Sequence, residues 1–195
     1  MSRFARSGIV VVGASAGGVQ ALRTLVAGLP ASIAAPVVVV LHIPRNAPSA
    51  LAAILDRAGP MVASTAAHGE SLSDGHLYVA PADRHVLVRD GRLLLSTEPP
   101  HNGHRPAIDP LLRTAALAYG SRTIGIVLSG NRDDGTAGLA AITERGGAAL
   151  VQDPAEALYP AMPRNALREV LGSVAFPVGD LGSEVCRLLA VDRPG

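Results

Sequence analysis

Residues 8–18 read G-I-V-V-V-G-A-S-A-G-G, from Gly8 to Gly18. Four branched apolar residues, Ile9 to Val12, form an unbroken run with no helical spacing, which predicts a short strand buried on both faces. The run stops at Gly13. Apolar residues then recur at helical intervals at Val19, Leu22, Leu25, Val26 and Leu29. The reading is strand, tight turn, helix, with the Ser15 hydroxyl at the turn. Glycines on either side let the backbone bend sharply and leave Ser15 open. The free N–H groups that begin the following helix point at any anion formed beside it.

Working outward, the helix after this turn is expected over residues 18–28, stopping at Gly28-Leu29-Pro30. Residues 37–41 form a second continuous apolar run that ends in His42. An amphipathic helix over 47–58 follows, with Leu51, Ile54 and Leu55 on its inner face. Strand, helix, strand, helix at this spacing predicts a parallel sheet with right-handed crossovers. From 61 to 97 the texture changes: residues 75–81 and 86–89 alternate, and Asp90-Gly91 leads into a third run at 92–95. Asp-Gly between alternating runs is a strong hairpin signal, so an antiparallel insertion is expected beside the parallel sheet. Residues 98–105 read as a polar loop. A helix over 108–119, a strand over 123–128, a loop over 129–135 and a helix through Ile142 follow. A short strand at 148–151 and helices near 164–170 and 180–190 complete the chain. The expected fold is a three-layer, doubly wound α/β domain: a mostly parallel sheet, helices on both faces, and an antiparallel hairpin insertion. No repeat or linker divides it, so residues 1–195 are read as one domain.

Composition narrows the function classes. The chain is 48% hydrophobic but only 3% aromatic, with no tryptophan, so its core is built from Ala, Val, Leu and Ile. A formal net charge of +1 lacks the basic footprint of a nucleic-acid binder. The single cysteine, Cys186, excludes an internal disulfide and reads as a buried structural thiol. No apolar stretch reaches the ~18 residues of a membrane span, and a cytoplasmic location without membrane insertion is expected.

The spacing Gly13-Ala14-Ser15-Ala16-Gly17 matches the G-x-S-x-G nucleophile elbow in its strand–turn–helix context. The same residues approach a dinucleotide fingerprint at Gly13, Ser15 and Gly18. That reading lacks the second glycine, and His42 closes the second strand where an acid is needed for a ribose. The histidine instead suits a hydrolase. A serine hydroxyl is a weak nucleophile until a base takes its proton, and the base needs an acceptor to fix its tautomer. Asp133 and Asp134 lie just past the strand at 123–128 and are both candidates for that acid. Three strands thus each carry one triad-type side chain beyond their carboxyl end, the edge where open parallel sheets form sites. His101-x-x-His104 has no third ligand at a convincing spacing and is read as part of the polar loop. No metal or cofactor is expected.

Together, G-A-S-A-G-G at 13–18, V-V-V-V-L-H-I-P at 37–44 and S-G-N-R-D-D-G-T-A-G at 129–138 resemble the catalytic domain of CheB-type protein-glutamate methylesterases. Residues 75–81 with Arg84-His85, residues 104–109, and Met162-Pro163-Arg164 with Ala166 fit the same pattern, so the resemblance covers about 8–190. It implies hydrolysis of γ-glutamyl methyl esters on chemoreceptor cytoplasmic helices, with glutamine deamidation in some members. It assigns the nucleophile to Ser15, the base to His42 and the acid to Asp134 rather than Asp133. Ala16, Gly17 and Gly18, with Asn131 and Arg132, are the expected oxyanion and pocket residues. Asn131 and Arg132 replace the Met-Gly that family members usually carry there, and this keeps a non-catalytic receptor-binding module as the competing reading. No counterpart of the family's N-terminal receiver domain is read, so constitutive activity, or regulation by a separate chain, is expected.

Overall fold

The computed structural model describes residues 7–46 and 49–191. Strands β1 (Ile9–Ala14), β2 (Val37–Leu41), β3 (Val62–Thr65), β4 (His76–Val79), β7 (Thr123–Val127), β8 (Ala148–Gln152) and β9 (Val174–Phe176) form one seven-stranded sheet. Its order is β3-β4-β2-β1-β7-β8-β9, and every pairing in it is parallel. Strands β5 (His85–Arg89) and β6 (Arg92–Ser96) form a separate antiparallel hairpin. The helices are α1 (Gly18–Ala27), α2 (Leu51–Asp56), α3 (Ile108–Tyr119), α4 (Thr136–Thr143), α5 (Ala161–Glu169) and α6 (Val178–Val191).

Strand β1 is central, and its residues serve two cores. Ile9 and Val11 pack with α3, α4, α5 and the hairpin on one face. Val10 and Val12 pack with α1, α2 and α6 on the other. All four side chains are fully buried, each contributing about 1.5–3 kcal/mol of transfer free energy. A strand buried on both faces has no alternation to fix its register. Gly13 supplies the missing constraint, because a Cβ there would lie 2.3 Å from Cγ2 of Ile108 on α3. The strand order reverses at β1, which runs outward through β2 on one side and β7 on the other. The carboxyl ends of those three strands border the topological switch point.

Several elements differ from expectation for identifiable reasons. Residues 76–79 belong to the parallel sheet, and of the three expected runs only those within 85–96 pair antiparallel. The apparent alternation in β4 came from Tyr78, which is 2% exposed because its hydroxyl donates to the Ser71 carbonyl and accepts from the Ser73 amide. Helix α2 covers only part of 47–58, of which 47 and 48 lie outside the described residues. Helix α5 begins at Ala161 rather than Arg164, since Pro163 sits in its first turn, where a missing N–H costs nothing. Cys186 is half-buried rather than buried, though burial still pushes its thiol pKa up.

Candidate active site

Ser15 leaves β1 at a turn whose next glycine, Gly17, has φ 72° and caps α1. A Cβ on Gly17 would meet Ser129 Oγ at 2.8 Å, so glycine serves both conformation and space. The Ser15 amide donates to the Ser129 carbonyl at 2.9 Å, tying this turn to the loop after β7. Gly130 lies against the serine, where a Cβ would fall 2.8 Å from Ser15 Cβ and 2.4 Å from Met162 Sδ.

His42 follows β2, and its amide donates to the Ala14 carbonyl at 3.1 Å. Its Nε2 lies 2.7 Å from Asp134 Oδ2 and its Nδ1 3.0 Å from Ser15 Oγ. A carboxylate only accepts, so Nε2 carries the proton and Nδ1 is free to accept from the serine hydroxyl. The ring nitrogens thereby exchange the roles they have in the serine-protease triad. The two side chains are almost dry, at 5% and 2% exposure. Asp133, the other candidate acid, is exposed, and its carbonyl accepts the Thr136 amide.

Asp134 accepts four hydrogen bonds. His42 and the Ile108 amide reach Oδ2, while Asn102 Nδ2 and the Asp109 amide reach Oδ1. Burial alone would raise its pKa, but the His42 bond and the two α3 amides outweigh it and hold the group at about 2. Asp109 is its opposite. Burial and then the Asp134 charge push its carboxyl up, against donors from Gly138, Asn102 and Gly135. One ring nitrogen of His101 and one carboxylate oxygen of each aspartate lie within 4.8 Å of one another. With four donors on Asp134, however, no lone pair there is left for a cation.

The residues read as pocket formers divide. The Gly18 amide donates to the Ser15 carbonyl at 2.8 Å, and a Cβ on Gly18 would lie 2.6 Å from Ala14 Cβ and 3.0 Å from Leu41 Cδ1. It packs α1 onto the sheet instead of facing the site, a correction to the expected donor role. The Ala16 and Gly17 amides donate to no carbonyl among the described residues. Asn131 and Arg132 are exposed. Arg132 has φ 65°, and Asn165 Nδ2 donates to its carbonyl at 2.8 Å. Leu158 and Tyr159 are 73% and 41% exposed, and the Tyr159 carbonyl accepts the Gly130 amide.

Sequence reasoning missed a group that the fold brings to the triad. The 98–105 segment supplies Asn102, which bridges both aspartates, and His104, whose ring stacks on His42 at 3.6 Å between centroids and 4° between planes. Buried His85 holds that segment, with Nε2 donating to the Pro99 carbonyl and Nδ1 accepting from the Ala107 amide. The one available signal was Asn102-Gly103, a dipeptide suited to a tight two-residue turn.

A family model for CheB methylesterase matches residues 10–185. The protein-glutamate methylesterase/protein-glutamine glutaminase 2 of Anaeromyxobacter dehalogenans (strain 2CP-C) is 38% identical over 182 residues, covering 92% of this chain and 53% of the relative. The protein-glutamate methylesterase/protein-glutamine glutaminase of Geobacillus kaustophilus (strain HTA426) is 34% identical over 186 residues, with 93% and 53% covered. The chain spans about half the length of these curated relatives. The crystal structure of the Thermotoga maritima CheB methylesterase catalytic domain superposes with a TM-score of 0.88 at 32% identity, covering 93% of this chain and 98% of that one. With a match across nearly its whole length and the same fold, the chain belongs to the CheB methylesterase family.

Proposed function

We propose that this domain hydrolyses γ-methyl esters of glutamate side chains on the cytoplasmic helices of chemoreceptors, releasing methanol, and that glutamine deamidation runs through the same steps. The observation that carries this reading is the hydrogen-bonded series Ser15 Oγ, His42 Nδ1, His42 Nε2, Asp134 Oδ2, at 3.0 and 2.7 Å.

His42 Nδ1 takes the serine proton as Oγ attacks the ester carbonyl. Asp134 holds the ring's tautomer and balances the imidazolium that results. The Ala16 and Gly17 amides, with the Asn131 amide across the cleft, stabilise the tetrahedral oxyanion. Each such donor is worth about 3–4 kcal/mol of barrier. The imidazolium returns its proton to the departing methoxide, leaving an acyl-enzyme on Ser15. Water then enters and gives a proton to His42 as its oxygen attacks the acyl carbon. His42 returns that proton to Ser15 Oγ as the acyl–Oγ bond breaks, and the glutamic acid leaves and ionises to the carboxylate. The two activities in the relatives' names, methylesterase and glutaminase, would run here through one acyl-enzyme and differ only in the leaving group. The proposed setting is cytoplasmic. Among the described residues, no helix is long and apolar enough to cross a membrane.

Ser15→Ala should abolish methanol release from a methylated receptor fragment while circular dichroism stays unchanged. Turnover equal to the parent protein would end the proposal. Covalent labelling of Ser15 by a fluorophosphonate, lost in His42→Ala, separates this reading from a receptor-binding module on the same scaffold.

A further inference from the structure

The segment that carries His104 is a hairpin reduced to its turn. His101 and His104 exchange backbone hydrogen bonds at 3.0 and 2.9 Å. Asn102 and Gly103 between them have φ 52° and 80°, the left-handed pair that a type I′ turn requires. From one end of this turn, Asn102 Nδ2 donates to Asp134 Oδ1 at 3.1 Å and to Asp109 Oδ2 at 3.0 Å. From the other end, the His104 ring lies flat on the His42 ring. One tight element therefore grips both the acid and the base.

The base needs this support at one moment of the reaction. The terminal torsion of a histidine has a broad well, so it does not fix the ring plane. Two in-plane hydrogen bonds do so in the resting site. When Ser15 Oγ turns to a carbonyl, the bond at Nδ1 is given up and the ring keeps only Asp134, about which it can tilt. We propose that His104 is a positioning residue for His42: its parallel face blocks that tilt and keeps Nδ1 aimed at Ser15 Oγ and the leaving group. This proposal rests on the hydrolase reading above.

The stack works only while His104 is neutral, since a cation there would oppose the imidazolium forming on His42. The charged and titratable groups acting on His104 are His42, Asp134 and Arg132. Burial first, then the His42 and Arg132 charges, push its pKa below the usual histidine value against the pull of Asp134. At neutral pH the ring is uncharged.

The test compares the parent protein with His104→Ala and His104→Phe, each checked by circular dichroism and Tm. The readout is the rate of Ser15 labelling by a fluorophosphonate across pH, which needs no receptor. Losing the stack should slow labelling about tenfold in His104→Ala, whereas His104→Phe should stay within about threefold of the parent. A His104→Ala protein that labels at the parent rate overturns the proposal, and so does a His104→Phe protein as slow as His104→Ala. Failure of the hydrolase reading looks different, since the parent itself would stay unlabelled at every pH. In that event the His42 Cε1–H proton resonance decides. It should shift in His104→Ala and move back in His104→Phe, and an unmoved resonance refutes the stack.

Discussion

Burial of Asp134 works against its charge, and the four donors around it work for the charge and win. A carboxyl held at about 2 against an ordinary 3.8 contributes stability that is present above the ordinary value and lost as pH falls toward 2. Asp109 runs the other way. Its raised pKa means that its ionisation opposes folding as pH rises through the window above 3.8. Asp134→Asn should therefore flatten the fall of Tm between about pH 4 and pH 2. It should also cut methanol release on the order of 10⁴-fold, because an amide offers the imidazole the wrong partner. An unchanged Tm profile in acid would contradict the assignment. Ser15 and His42 were legible in the sequence because each closes an apolar run at one sheet edge. Asp133 and Asp134 were not separable by pattern, since the turn into Gly135 exposes the first and buries the second. Asn102, His104 and Asp109 were illegible as site residues, because their approach to the triad is purely tertiary.

Between elements, the α3–α4 contact links the acid to the rest of the fold. The Gly138 amide on α4 donates to Asp109 Oδ1 at 2.7 Å, and a Cβ on Gly138 would lie 2.5 Å from Leu112 Cβ on α3. Two effects compete in Gly138→Ala. Helix propensity favours alanine by about 1 kcal/mol, while overpacking against a fixed neighbouring helix costs about 1–3 kcal/mol. At 2.5 Å the clash should win. Tm should fall by roughly 2–4 °C for each kcal/mol of net loss at this chain length, and a raised Tm would show that α3 yields. Every α-helix was legible in outline, α3 in its expected range, although α2 and α5 differ in their bounds. The strands missed, β3 and β9, are the two sheet edges. They are short and largely exposed, so they carry little of the apolar signal that marks a buried strand.

For the molecule as a whole, the class of fold was legible from alternation of strands and helices, but the strand order was not. Nothing local says that β7, over a hundred residues from β1 in the chain, lies beside it. That neighbour relation creates the switch point and brings the loop after β7 to Ser15. The shortage of aromatics has a different consequence. The chain has no tryptophan, so it is optically dark under excitation selective for indole. Tyr159 stands 41% exposed on the rim beside the Gly130 loop. Tyr159→Trp would place the molecule's sole fluorophore of that kind at the mouth of the cleft, against zero background. A receptor segment that covers this rim should dry the indole and move its emission to shorter wavelength. A spectrum indifferent to a bound segment would mean that docking leaves Tyr159 uncovered.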